Sequence, residues 1–311
     1  MALLDRAFYA SRQRRRSQDE VTTADRSREG HGRTALVTGA SAGIGRSMAE
    51  LLAAKGYDVV LVARRAARLE AIAEQLRNGY GVAAHVLTAD LCDPGAPAHI
   101  RDTLTERGLS VDVLVNNAGY DLMGNYLDNP WDEQLKLIHL LGLSTVELCR
   151  HLLPHMVEQS WGRIINVTSV AGLMSGTPSM ILYCASKAFV HRFTEGLAGE
   201  YQGRGVYATV SVPGSTDTEI FHSSGLWDYS QTNPAFQMAM MSPMTVARQA
   251  YTASMAGRKV VVHGWHHKIW AQAVVHAPAP VRYSLTSWFS KINHDAAYAG
   301  PSDQHVDRSN T

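Results

Sequence analysis

The sequence predicts an α/β fold: a doubly wound parallel sheet in a single domain, with an N-terminal arm and a C-terminal extension. Three observations predict it. Short apolar runs alternate with helix-period segments from Thr34 onward, and near-continuous apolar strands are those covered by helices on both faces. A glycine turn, Gly39-Ala-Ser-Ala-Gly43-Ile-Gly45, joins the first run to the first helical pattern. The chemically distinctive residues then fall just after strands or at helix starts, where a parallel sheet binds ligands beyond its carboxyl edge.

Strands are expected at Thr34 to Val37, Val59 to Ala63, Val82 to Thr88, Val111 to Val115, Arg163 to Val167, Val206 to Val212 and Lys259 to Val262. The clearest helices between them are Arg68 to Leu76 and Trp131 to Glu158. Residues 33–264 therefore form the domain. Residues 1–32 are polar, with Arg14-Arg15-Arg16, and read as a mobile arm with a short helix over Ala2 to Ala10. They lack the apolar stretch of a secretory signal, and Asp5, Asp19 and Glu20 argue against a transit peptide. Residues 265–311 carry Trp270, Val274, Val275, Leu285, Trp288 and Phe289 before a polar tail. That apolar part can cap a cleft, join a subunit interface, lie peripherally on a membrane or pack on its own core.

Composition sets outer limits. With 311 residues and 45% hydrophobic content the chain can bury a large core. A formal charge of +1 gives no reason to expect nucleic acid. Cys92, Cys149 and Cys184 are odd in number and lack metal spacing, which points to a reducing, cytoplasmic setting. No run of 18 apolar residues supplies a transmembrane segment. His263, His266 and His267 have no acidic or thiol neighbour, so no metal is expected.

Two constellations carry chemistry. In the glycine turn, residues without side chains permit a tight bend and close backbone approach to a pyrophosphate, which the following helix N-terminus favours electrostatically. In Tyr183-Cys-Ala-Ser-Lys187, a phenol and an amine four residues apart share one helix face. A free tyrosine titrates near ~10, and a nearby cation draws it toward neutrality, where it can exchange protons with a substrate.

Thr38-Gly-Ala-Ser-Ala-Gly-Ile-Gly45, Asn116-Asn-Ala-Gly119, Ser169, Tyr183 with Lys187, and Pro213-Gly214 followed by Thr218 occur in this order. The set resembles the short-chain dehydrogenase/reductase family, of Rossmann type, over about Thr34 to Gly264, roughly three quarters of the chain. That resemblance implies a dinucleotide held by Gly39, Ser41, Gly43, Ile44 and Gly45 at its phosphates and by Asp90 and Leu91 at the adenine. Asn117 and Gly119 would meet the adenosine ribose region. Pro213, Gly214, Thr216 and Thr218 would serve the nicotinamide side, with Thr218 at the carboxamide and Tyr183 and Lys187 also in contact. Tyr183 would give the proton, Ser169 would orient the carbonyl oxygen, and Lys187 would hold the phenol's pKa down and bind the nicotinamide ribose.

Cofactor choice is read at the end of the second strand, Val62-Ala63-Arg64-Arg65. No acid is present there for a ribose 2′-hydroxyl, and Arg64 suits a 2′-phosphate, with Arg46 as helper. NADP(H) is therefore expected over NAD(H). Two departures from the family pattern stand out. His139 falls where the family carries an asparagine, and it can relay protons or hold water, mark a slowed or repurposed enzyme, or be an ordinary helical histidine. The segment Gly172 to Tyr183 is one residue longer than the pattern.

Substrate class is read from the stretch after Thr218, where Phe221, Trp227, Tyr229, Met238, Met240 and Met241 suggest a lid suited to irregular apolar guests. An oxidoreductase acting on an apolar carbonyl or alcohol, working as a homo-oligomer, is the leading reading. A nucleotide-binding sensor or scaffold with weak turnover is the alternative.

Overall fold

The computed structural model describes residues 18–174, 176–219 and 234–287. The expected helix at Ala2 to Ala10 and the lid residues between 220 and 233 lie outside the described residues, as do Trp288 and Phe289. Seven strands form one sheet: β1 (Thr34–Thr38), β2 (Asp58–Ala63), β3 (Ala84–Thr88), β4 (Val113–Asn116), β5 (Gly162–Val167), β6 (Val206–Val212) and β7 (Val260–Val262). All pairings are parallel in the order β3-β2-β1-β4-β5-β6-β7. The order reverses between β1 and β4, and that switch opens the crevice in which such sheets bind ligands.

The period of two in each strand feeds two cores. Leu36, Val60, Val62, Leu114 and Ile164 face one layer. Their neighbours Ala35, Val37, Val59, Leu61, Val113, Val115 and Ile165 face the other. The first layer is roofed by α3 (Ala96–Glu106), α4 (Trp131–Ile138), α5 (Ser144–Glu158) and α6 (Ile181–Tyr201). The second is roofed by α1 (Gly43–Ala54), α2 (Ala66–Tyr80) and α8 (Pro243–Met255); the short α7 (Pro234–Ala239) precedes α8. Each fully buried aliphatic or aromatic side chain contributes roughly 1.5–3 kcal/mol, so these layers hold the sheet edge rigid beneath the cleft.

The single helix expected from Trp131 to Glu158 is instead interrupted by a π turn, His139–Leu143. Ser144 Oγ donates to the Leu140 carbonyl at 2.7 Å, and Thr145 Oγ1 to the Leu141 carbonyl at 3.4 Å. Hydroxyls that bond back to i−4 carbonyls compete with the helical ladder, and π turns concentrate at functional sites. Hydrophobic period alone does not reveal such a change of pitch.

Residues 18–32 lie against the domain, in contrast to the mobility expected for the whole arm. Arg248 on α8 bonds both carboxylate oxygens of buried Asp25, at 2.8 to 3.1 Å, and the Gln18 carbonyl. Glu29 accepts from the Tyr251 hydroxyl at 2.8 Å. Polar composition suggested a loose segment; the partners that fix it lie over 220 residues away in sequence. At the other end, α9 (Trp265–His276) buries Ala271 and Val274 and leaves Trp265 and Ile269 exposed. No helix among the described residues is long and apolar enough to cross a membrane.

Candidate active site

Beyond the carboxyl edge of the sheet lies a cavity of about 860 Å³, near the upper end of ordinary ligand sites. The turn between β1 and α1 forms one wall. Gly39 and Gly43 adopt positive φ, +65° and +53°, a region that side chains disfavour. A Cβ on Gly45 would stand 2.3 Å from the Gly39 carbonyl oxygen and 2.4 Å from Asn117 Nδ2. A Cβ on Gly43 would stand 2.9 Å from Thr218 Cγ2. The backbone is thus bare where a diphosphate needs close approach, with the N-terminus of α1 beneath it.

Gly45→Ala is therefore expected to destabilise the fold by about 1–3 kcal/mol through overpacking and to weaken dinucleotide binding. Thermal melts with and without NADPH check both effects.

Asn117 binds this turn from the other side. Its backbone N–H and that of Ala118 donate to Thr38 Oγ1 at 2.9 and 3.0 Å, and its side chain donates to the Thr38 carbonyl at 3.1 Å. Behind it, Asn116 Nδ2 donates to Asn166 Oδ1 at 2.9 Å, and Asn166 Nδ2 donates to Thr194 Oγ1 at 2.8 Å. This buried polar chain links β4, β5 and α6, and so fixes the segments that carry Ser169, Tyr183 and Lys187.

Ser169 caps the 3₁₀ turn Val170–Leu173, accepting from the Ala171 N–H at 3.1 Å. Its hydroxyl also hydrogen-bonds the Tyr183 phenol, so the longer segment before Tyr183 does not separate the pair. Lys187 Nζ donates to the Val167 carbonyl at 2.9 Å and lies 5.8 Å from the Tyr183 ring centroid.

The electrostatics differ from the sequence expectation. Burial pushes the Tyr183 phenol well above its usual range, the charge of Asp121 adds to that, and the Ser169 hydrogen bond lowers it only in part. Burial likewise pushes Lys187 down, to about 8. Desolvation is the largest cause for both groups, and the charge that reaches both is that of Asp121, a balance that spacing on a helix cannot report.

Of the residues expected at the site, the structure brings Gly39, Ser41, Gly43, Ile44, Arg64, Asp90, Leu91, Asn117, Gly119, Ser169, Tyr183, Lys187, Pro213, Gly214, Thr216 and Thr218 to one cavity wall. Gly45 supports the turn from behind. His139 opens the π turn and does not join the described lining, although the adjacent Leu140 does; its Nδ1 is buried without a hydrogen-bond partner among the described residues. Arg46 turns away as well, reaching Gln75 Oε1 at 3.4 Å beside a separate hollow.

Sequence reading left Arg65, Glu219 and His267 out of the site and placed Trp270 only in a segment able to cap a cleft. Arg65, rather than Arg64 alone, grips the glycine turn: its Nε and Nη2 donate to Ser41 Oγ at 3.1 and 2.8 Å. Glu219 pairs with Arg65 and Arg68 at 2.8 and 2.7 Å and also lines the cavity. His267 and Trp270 of α9 form a further wall, and a Cβ on Gly214 would strike the His267 ring at 2.3 Å. Burial holds His263 down to about 3 and His267 to about 4, so both imidazoles are neutral. His263 bonds Ser211 Oγ at 2.8 Å and Gln249 Oε1 at 3.2 Å. The cluster braces β6, β7 and α9, and the described residues include no group suited to hold a metal ion.

Comparison with known proteins agrees with this geometry. A family model described as short chain dehydrogenase matches residues 33–228. The very-long-chain 3-oxoacyl-CoA reductase of Anas platyrhynchos is 38% identical over 190 residues, covering 59% of this chain and 60% of that protein. The 7beta-hydroxysteroid dehydrogenase of Collinsella aerofaciens is 35% identical over 191 residues, 61% of this chain and 72% of that protein. The chain spans about 60% of the length of several curated relatives that it matches. A solved structure from work on 7beta-hydroxysteroid dehydrogenase stereoselectivity is 27% identical, with a TM-score of 0.76, covering 86% of this chain and 99% of that one. The short-chain dehydrogenase from Sphingobium yanoikuyae in complex with NADPH is 29% identical, with a TM-score of 0.66, covering 89% and 99%.

Proposed function

The chain belongs to the short-chain dehydrogenase family, and from that premise we propose that it is an oxidoreductase that uses NADP(H) to interconvert a lipophilic ketone or aldehyde and its alcohol. One observation carries the reading: a single cavity joins the bare glycine turn to Ser169, Tyr183 and Lys187. The residues fit a dinucleotide, because side chains are missing where phosphates need backbone contact and the Arg65 guanidinium stands beside Ser41. The glycine turn, Asp90, Asn117, Thr218 and Lys187 would hold it, with Arg64 and Arg65 at the adenosine end.

When bound, NADP(H) supplies or accepts the hydride. The chain's own residues manage the proton. Tyr183 gives its phenolic proton to the carbonyl oxygen as negative charge develops there, and Ser169 donates a second hydrogen bond to that oxygen. Burial keeps the phenol protonated at neutral pH, which suits it to act as the acid in reduction. Lys187 carries the charge that stabilises the phenolate once the proton has left.

The catalytic part of the cavity includes Leu140, Val170, Met180 and Trp270, which supports an apolar substrate. The acyl-CoA and hydroxysteroid enzymes among the relatives support the same class. Among the described lining residues the cations are Arg64, Arg65 and Lys187, so no cationic cluster is left to grip a small acid. Exposed Trp131 and Leu135 on α4 and Ile181 and Phe189 on α6 support a homo-oligomer formed through these helices. Loss of reduced-nicotinamide absorbance with acetophenone, 2-decalone and a 17-keto steroid tests the activity; binding of NADPH with no turnover across apolar ketones would sink it.

Arg65→Ala is expected to raise the Kd for NADPH about tenfold to a hundredfold, the worth of one charge-assisted hydrogen bond to phosphate, while NADH binding stays near its original level. Titration of each nucleotide by fluorescence checks the split.

A further inference from the structure

His267 lines the cavity from α9, outside the stretch that the family model matches, and the chemistry above gives it no task. Trp270, nearly one turn further along the helix, borders the same space. The histidine is 8% exposed, and Gly214 must lack a side chain to admit it, since a Cβ there would stand 2.3 Å from both Nε2 and Cδ2. Gly214 follows Pro213, whose carbonyl accepts the Val170 N–H at 2.9 Å, and Val170 follows Ser169. The imidazole is thus lodged beside the strand ends that carry the catalytic serine.

Its tautomer is fixed by geometry. His267 Nδ1 lies 3.1 Å from the His263 carbonyl oxygen, and a carbonyl can only accept, so Nδ1 carries the proton. Burial holds the imidazole down to about 4, so at neutral pH Nε2 is bare and acts as an acceptor. Among the described residues the ring's hydrogen bond is the one at Nδ1. The support behind it is firm: His263 is fully buried and bonds Ser211 Oγ and Gln249 Oε1. His266 Nε2 donates to the Ala239 carbonyl at 2.8 Å and ties α9 to α7. A side chain locked by such bonds presents its free edge in one orientation. Leu140, Val170, Met180 and Trp270 make the surroundings apolar. There, a guest that expels water from Nε2 and offers no donor leaves the nitrogen unpaired, whereas a hydroxyl restores the bond.

We propose that His267 determines specificity by accepting a hydrogen bond from a hydroxyl group of the substrate, set apart from the reacting carbon. The substrate class narrows accordingly, from an apolar ketone to an apolar hydroxy ketone, or to a diol in the oxidative direction. The inference rests on the oxidoreductase reading above and deepens it. Hydride transfer stays with the nucleotide and proton transfer with Tyr183; His267 binds the guest and neither makes nor breaks a covalent bond.

Substrate chemistry tests this without touching the protein. The best used of the three ketones, its hydroxylated forms and the methyl ether of each are compared by kcat/KM at saturating NADPH. At least one hydroxylated form is expected to be preferred over its parent by about tenfold or more, the worth of a hydrogen bond whose acceptor otherwise stays unpaired. The methyl ether, which cannot donate, should lose that preference. His267→Phe keeps a ring without an acceptor, and there the ratio of hydroxylated to parent ketone should fall to near one. His267→Gln keeps a side-chain acceptor and should retain part of the ratio. Poorer folding lowers both rates together and cancels in the ratio. NADPH affinity, read by fluorescence, is expected to stay as it was. No preferred hydroxylated form, a methyl ether preferred as strongly as its alcohol, or a preference that survives His267→Phe overturns the assignment. Weakened NADPH binding with the preference intact overturns it too, because His267 would then serve the nucleotide. A wild type that turns over none of the three ketones is instead the failure of the parent reading, and this inference falls with it.

Discussion

Tyr183→Phe is expected to lower NADPH-dependent ketone reduction by at least about 10² and up to 10⁴, the span that a positioned general acid contributes. The substitution removes one oxygen from a side chain that is 9% exposed and leaves its ring packed against the core. Among the described residues the side-chain hydrogen bond to the phenol comes from Ser169, so stability should shift little. NADPH should still bind, because the glycine turn, Arg65 and Lys187 are untouched. Stopped-flow rates at saturating nucleotide, paired with a binding isotherm, separate the two effects. Equal turnover of mutant and wild type would favour the alternative in which the chain senses the nucleotide without reducing a substrate.

Arg248→Ala is expected to cost about 3 kcal/mol, the lower end of the range for breaking a buried pair, because Arg248 retains 26% side-chain exposure against 11% for Asp25. The loss leaves Asp25 buried without its cation. In the native pair, burial alone would raise the Asp25 pKa, but bonds from Arg248 and from the Thr22 backbone and hydroxyl outweigh it and hold the carboxyl down to about 2. A depressed folded-state pKa contributes stability above the ordinary value of 3.8 that is lost as pH falls through about 2. The gap in Tm between wild type and Arg248→Ala should therefore be full at pH 7 and close progressively below about pH 4. A gap that stays constant to pH 2 would mean the pair is not what fastens residues 18–32.

The strands were legible because each is an apolar run closed by a glycine, a charged residue or a motif, and every expected run overlaps an observed strand. The glycine turn and the Tyr183–Lys187 pair were legible because their function demands fixed residues at fixed offsets. What stayed hidden depends on side chains from distant segments. Arg65 and Arg64 are adjacent in sequence and chemically identical, and only the packing shows which one reaches Ser41. Asp121 reads as an ordinary loop acid until the fold buries it. The π turn at His139–Leu143 keeps the apolar period of its neighbours, so periodicity passed over it.

The nucleotide floor and the proton donors all lie within residues 33–228, whereas His267 and Trp270 of the cavity wall lie beyond that stretch. The cavity's outline is thus shared between the family stretch, through Leu140, Val170 and Met180, and a helix outside it. Grafting residues 265–276 onto another reductase is therefore expected to shift its preference among ketones while its nucleotide requirement stays as it was.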